Sequence, residues 1–140
     1  MAKIPFLSIW MRNINCLFLD RDNIKEGLKT ILKGIDQIKN GYSVYISPEG
    51  TRNQGKEMLP FKEGSLKMAE KTGCAIIPVS LTNTEAVFEN HTPWIRRAHV
   101  IIEFGKPIYV AKLDKEQHKF LGAYVQNIIK ETLIKNEALV

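Results

Sequence analysis

The 140 residues hold only two cysteines, no apolar run of membrane-spanning length, and no internal repeat or low-complexity stretch. Each absence removes a class of protein. A membrane span needs about 18 or more consecutive apolar residues, so any membrane role of these residues is expected to be peripheral. Pro5, Ser8 and Arg12 interrupt the N-terminal apolar stretch, which lacks the basic-then-apolar pattern of a signal peptide. Cys16 and Cys74 form no Cys-x-x-Cys and no ligand spacing, and each sits in an apolar run. They read as small buried thiols in a reducing compartment. With 44% hydrophobic and 25% charged residues, the chain is neither disordered nor fibrous.

What is present suits one α/β domain over residues 1–140, long enough to bury a core. Twenty Lys and Arg against fifteen Asp and Glu leave a charge of +5. That excess favours anionic partners: phosphorylated metabolites, anionic lipid surfaces or nucleic acid. The basic residues are scattered and form no nucleic-acid recognition motif.

Hydrophobic spacing alternates between strand and helix. Leu7, Trp10, Met11 and Ile14 have helical spacing after Pro5. Cys16 to Leu19 predicts a short strand. Asn23-x-x-Glu26 reads as a capping box that opens a helix, and Gly41 stops it. Ser43 to Ser47 predicts a second strand, followed by a polar loop to about Phe61. A short helix carries Leu66, Met68 and Ala69 and ends at Gly73. Ala75 to Leu81 predicts a third strand, in which Pro78 demands an edge or a bulge. His99 to Phe104 predicts a fourth. Asp114-x-x-Gln117 caps a long final helix running through Leu133.

This order predicts a mostly parallel, mixed sheet flanked by helices, with right-handed crossovers. Ligands of such sheets bind beyond the carboxyl ends of the strands. Three polar strand ends are therefore expected on one rim: Asp20-Arg21, Pro48 to Arg52, and Ser80 to Asn83. In the second, Gly50 permits close backbone approach or positive φ. Thr51 brings a hydroxyl, and Arg52 a planar fork suited to phosphate oxygens. Glu49 orients an arginine or a substrate hydroxyl. Against this stands a plain surface turn with a local Glu–Arg pair. Arg21, alone, reads as a strand-end salt bridge with Asp20. Sharing a rim with Arg52, it reads as half of a phosphate grip.

Gly50 to Lys56 imitates a nucleotide phosphate loop until its last position, where Glu57 stands in place of Ser or Thr and Leu59-Pro60 bars an immediate helix. None of His91, His99 and His118 has an aspartate five residues on. His99 is expected at the far end of the sheet from the rim if its strand is parallel. Only His91 lies in a loop with access to the rim, and a solvated loop histidine is its plain reading. In segment 88–97, Trp94 and Ile95 precede Arg96 and Arg97. Two readings stand: an interfacial anchor for anionic lipid, or a tryptophan folded back onto the core.

These residues carry a resemblance. The chain resembles the 1-acylglycerol-3-phosphate (lysophosphatidate) acyltransferases and their glycerol-3-phosphate acyltransferase relatives. Phe18-Leu19-Asp20-Arg21 is similar to the family's apolar strand ending in Arg. Pro48-Glu49-Gly50-Thr51-Arg52 is its Pro-Glu-Gly-Thr-Arg block, whole. Ile76-Ile77-Pro78-Val79 is similar to its proline-centred strand. The likeness runs from about Lys3 to Val110. The family's first block, His-x-x-x-x-Asp, does not occur in these residues, and the family places it ahead of Lys3. An N-terminally truncated form of the family domain is thus expected.

The resemblance implies transfer of a fatty acyl group from acyl-CoA or acyl carrier protein, as donor substrate without a cofactor, to a hydroxyl of lysophosphatidate or glycerol phosphate. It implies that Arg21, Glu49, Gly50, Thr51 and Arg52 hold the acceptor's phosphate. The base would be the absent histidine, so no catalytic residue is assigned within the chain and little activity is expected of it alone. A non-catalytic binding module for phosphorylated lipids is the alternative. The expected location is cytoplasmic, peripheral to an anionic surface at the inner face of the plasma membrane, with no nucleic-acid partner.

Overall fold

The structure, a computed structural model, describes residues 5–17, 24–51, 53, 57–62 and 64–140. The chain divides into two compact units, Met1–Ile46 and Ser47–Val140.

The first unit contains α1 (Pro5–Asn13) and α2 (Ile24–Lys39). Both close in the same way. Asn15 takes positive φ, and the N–H groups of Asn15 and Cys16 donate to the carbonyls of Arg12 and Met11. At the end of α2, Gly41 has φ +87°. There the N–H groups of Gly41 and Tyr42 donate to Ile38 and Gln37, both at 3.0 Å. This satisfies carbonyls that a helix end otherwise leaves open. The Gln37 side chain donates to the Asn15 carbonyl at 3.2 Å, tying the two helix ends together. Along α2, Ile35 is buried while Leu28 and Leu32 stand in solvent. Asn23, the expected cap of α2, lies outside the described residues.

The expected early strands do not appear among the described residues. Cys16 and Leu17 are irregular, and the rest of that segment is outside them. Residues 42–47 keep the alternation of a strand, with Tyr45 exposed between the half-buried Val44 and Ile46, but join no ladder among the described residues.

The second unit contains α3 (Lys67–Thr72), β1 (Val79–Thr82), β2 (Ile101–Phe104), α4 (Lys115–Lys119) and α5 (Leu121–Glu137). Gly73 closes α3 as expected. β1 and β2 pair antiparallel, Val79 opposite Phe104 and Thr82 opposite Ile101. An antiparallel pair has a place in the mixed sheet expected from the sequence, and no parallel pair occurs among the described residues. The segment between them contains one 3-10 turn, Glu89–His91, and no α-helix. A parallel crossover usually runs through an α-helix, which this connection does not hold.

The Pro78 expectation holds. Continuing the β1–β2 register would set Ile76 opposite Pro107, but Ile76 pairs with Ile108 through two 2.8 Å hydrogen bonds. One extra residue is accommodated at Gly105, whose N–H donates to the Pro78 carbonyl. This is a bulge at the proline.

The final helix is two helices. Asp114 forms its capping box with Gln117, but this opens only α4. Phe120 leaves helical geometry at φ −114°, ψ 39°, and α5 starts afresh at Leu121. The break lets Leu121 bury itself, at 4% exposure, beside Ile108, Val110 and Val125. Phe61, Leu66, Ile76, Tyr124 and Ile128 pack around that cluster.

The sheet has an inverted polarity. Ser80 and Thr82 are buried on the side where the Ser80 hydroxyl approaches the Ile129 carbonyl of α5. On the same side, Lys135 and Asn136 of α5 each donate to the Glu103 carboxylate at 2.9 Å. The other side presents Leu81, Ile102 and Phe104 to solvent, Phe104 at 71% exposure.

Candidate functional site

The candidate site begins as a backbone turn. The Gly50 N–H donates to the Ser47 carbonyl at 3.1 Å, and Gly50 takes φ +69°. That conformation suits glycine, which has no Cβ to clash. Glu49 is half-buried and Thr51 exposed, on either side of it. Among the described residues Glu49 has no ion-pair partner.

Three contacts hold this turn against the rest of its unit. The Lys62 N–H donates to the Pro48 carbonyl at 2.9 Å, closing the polar loop at its base. Phe61, next to it, packs against the core. The Gln126 side chain of α5 donates to the Leu59 carbonyl at 3.0 Å. Farther out, the Asn53 amide donates to the Glu57 carbonyl at 2.6 Å. The described parts of this polar loop are thus held by partners distant in sequence.

Of the predicted phosphate-holding residues, Glu49, Gly50 and Thr51 stand together on this turn. Arg21 and Arg52, expected to share a rim with them, lie outside the described residues.

The sequence reading missed Lys62. Its stem crosses the turn: a Cβ on Gly50 would meet Lys62 Cε at 3.2 Å. The ammonium group is one bond beyond Cε, so a cation sits beside Gly50. Lys62 is solvent-exposed and has no ion-pair partner among the described residues. Nothing local announces it, because it reaches Gly50 across the whole loop.

The histidines are also repositioned. The antiparallel pairing brings His99 beside the carboxyl end of β1, where the Asn83 amide donates to the His99 carbonyl at 2.9 Å. The far-end position expected of His99 was conditional on a parallel strand, and that condition is not met. His91 is half-buried in the 3-10 turn of the β1–β2 connection. Trp94 does not fold back onto the core: it is 73% exposed and Ile95 78%. A groove of about 320 Å³ lies between the Glu57–Met58 turn and α5, lined by Gln126 and Lys130 among others. None of Glu49, Gly50 and Thr51 lines it. No helix among the described residues is long and apolar enough to cross a membrane.

Comparison with known proteins gives consistent matches. A family model described as Acyltransferase matches residues 1–82. A 1-acyl-sn-glycerol-3-phosphate acyltransferase of Borreliella burgdorferi is 34% identical over 133 residues, 95% of this chain and 53% of that protein. Proteins of the same name from Saccharomyces cerevisiae and Escherichia coli are 32% and 31% identical, each over 93% of this chain and over 44% and 53% of their own lengths. The crystal structure of the 1-acyl-sn-glycerophosphate acyltransferase from Thermotoga maritima superposes with a TM-score of 0.80 at 27% identity. It covers 98% of this chain and 54% of that one. The chain spans about half the length of the curated relatives it matches.

Proposed function

The chain belongs to the acyltransferase family, and from that membership we propose that it supplies the acceptor-holding part of an enzyme that acylates a hydroxyl of lysophosphatidate or glycerol phosphate. The observation that carries the proposal is the Pro48–Thr51 turn, shaped by Gly50 and flanked by the Lys62 cation. The names of the relatives support the same acceptor class.

In this reading Arg52 and Arg21 clamp the phosphate, and Lys62 adds a third positive charge. Each charge-assisted hydrogen bond contributes roughly 1.5–3 kcal/mol. Glu49 orients an arginine or the acceptor's free hydroxyl, and Gly50 lets the backbone come close. These groups fix the acceptor so that its hydroxyl oxygen attacks the thioester carbonyl of acyl-CoA or acyl carrier protein. The thiolate leaves, and the hydroxyl proton passes to a base. No His-x-x-x-x-Asp occurs in these residues, so the reading gives them positioning and not proton removal. Lack of a general base lowers the rate by about 10²–10⁴.

The same sequence fact supports a second reading, a non-catalytic module that binds phosphorylated lipids at an anionic membrane surface. Two measurements separate the readings and test both. Calorimetric titration with glycerol 3-phosphate is expected to give binding that Arg52→Ala weakens about 10–100-fold. Equal affinity of wild type and variant would sink the phosphate grip. Incubation with acyl-CoA and lysophosphatidate is expected to give no more transfer than the uncatalysed background. Measurable transfer abolished by His91→Ala would overturn the positioning role and make His91 the base.

A further inference from the structure

The connection between β1 and β2 is an ordered loop with a greasy, cationic tip. Its base is fastened by the Arg96 N–H to the Val87 carbonyl at 2.9 Å and by the Asn83 amide to His99. Within it the Trp94 N–H donates to His91, the His91 N–H to Phe88 and the Asn90 N–H to Glu85. The Thr92 hydroxyl lies within 3.3 Å of the Phe88 and Glu89 carbonyls. With its backbone so occupied, the loop still holds Trp94 and Ile95 almost wholly in water, at 73% and 78% exposure. Isolated exposed apolar residues are ordinary. An adjacent pair of this size on a hydrogen-bonded loop, followed at once by two exposed arginines, is a patterned surface.

The charges indicate what covers it. Arg96 and Arg97 have no ion-pair partner among the described residues. No acidic residue occurs between Glu89 and Glu103, and the chain as a whole carries +5. An indole suits the boundary between headgroups and acyl chains, where one edge is apolar and the other wet. Guanidinium groups on flexible stems reach lipid phosphates from that depth. A protein interface would also accept tryptophan and arginine, but it would have to bring carboxylates to both cations, whereas an anionic bilayer presents phosphates across its whole surface.

We infer that the β1–β2 loop docks the protein on an anionic lipid bilayer, with Trp94 and Ile95 seated in the headgroup layer and Arg96 and Arg97 on lipid phosphates. This deepens the reading above, and its biological sense rests on the acceptor being a membrane lipid. The loop holds the protein at the surface where such an acceptor resides, without using the phosphate-holding turn.

The test uses the full 140-residue chain and vesicles of phosphatidylcholine with or without a third of phosphatidylglycerol, free of lysophosphatidate. Sedimentation is expected to show binding that favours the anionic vesicles. Trp94→Ala with Ile95→Ala is expected to weaken it on the order of tenfold or more. Arg96→Gln with Arg97→Gln is expected to remove the anionic preference, about fivefold per cation or 25-fold together. In a Trp10→Phe background, Trp94 emission shifts to the blue when vesicles are added. All four side chains are exposed, so the variants keep the wild-type circular dichroism. Vesicle binding unchanged by the Trp94 and Ile95 substitutions overturns the inference, as does Trp94 emission that does not move. So does self-association in the absence of lipid that those substitutions abolish, which would assign the loop to a protein contact. Glycerol 3-phosphate titration of the loop variants keeps the two readings apart. Failure to bind vesicles with phosphate affinity intact removes only the anchor, and the reverse removes only the grip.

Discussion

The Cε atom of Lys62 lies 3.2 Å from the point where a side chain on Gly50 would begin. Two residues twelve positions apart thereby depend on each other. The glycine leaves room for the lysine stem, and the lysine brings charge to a turn that a larger residue would fill.

Gly50→Ala should destabilise the protein through two causes. The new Cβ meets positive φ, which costs on the order of 1–2 kcal/mol, and it crowds Lys62. Denaturant unfolding of Gly50→Ala alone and combined with Lys62→Ala separates the two. The double variant should recover the crowding part only. Full recovery would show that the backbone conformation carries no cost.

Lys62→Met keeps the apolar stem and removes the cation. Stability should stay within about 0.5 kcal/mol of wild type, as for other exposed positions. Affinity for glycerol 3-phosphate should fall about tenfold, the loss of one charge-assisted contact. An unaltered affinity would return Lys62 to a purely structural role.

Glu103 predicts a pH effect. Its carboxyl is held below the ordinary value of 4.5, first by the hydrogen bond from Lys135 and then by that from Asn136. A lowered folded-state pKa stabilises above the unfolded value and loses that stabilisation as pH falls through the folded one. The stability difference between wild type and Glu103→Gln should therefore be present at neutral pH and shrink below about pH 4.5. Unfolding curves across that range check it, and a difference that grows in acid would refute the sign.

Asp114→Ala removes one arm of the capping box, whose N–H to carboxylate bond is 2.8 Å. The expected loss is about 1 kcal/mol, and Asp114→Asn should restore most of it. Leu121→Ala, seven residues on, should cost more, about 2–5 kcal/mol, because it empties a site at 4% exposure. The neighbouring Phe120 is 55% exposed, and Phe120→Ala should cost well under half as much as Leu121→Ala.

What could be read in the sequence was local. Gly41 and Gly73 announce helix ends because positive φ is a property of one residue. Pro78 announces a bulge because it lacks an N–H, and Asp114 announces a cap because Gln117 lies three positions on. What escaped was set by partners far along the chain. α4 holds no apolar residue whose spacing could mark a change of face, so the break at Phe120 emerges only from the burial of Leu121 against Ile108. Strand alternation does not state which strand lies beside which, and β1 and β2 proved antiparallel. The outward side of the sheet is apolar, the reverse of what alternation over a helix suggests. Of the candidate site, the turn at Glu49 to Thr51 was legible as a motif, and the Lys62 stem over Gly50 was not.

The hairpin arrangement of β1 and β2 has a practical corollary for engineering. Thr82 and Ile101 stand opposite each other, and the Asn83 amide clasps His99 just beyond them. The connection therefore leaves the sheet and returns to it at one place. Residues 84–98 form an exchangeable cassette. A shorter turn, or the corresponding stretch of a relative, should be graftable there with the sheet, the bulge and the helices retained.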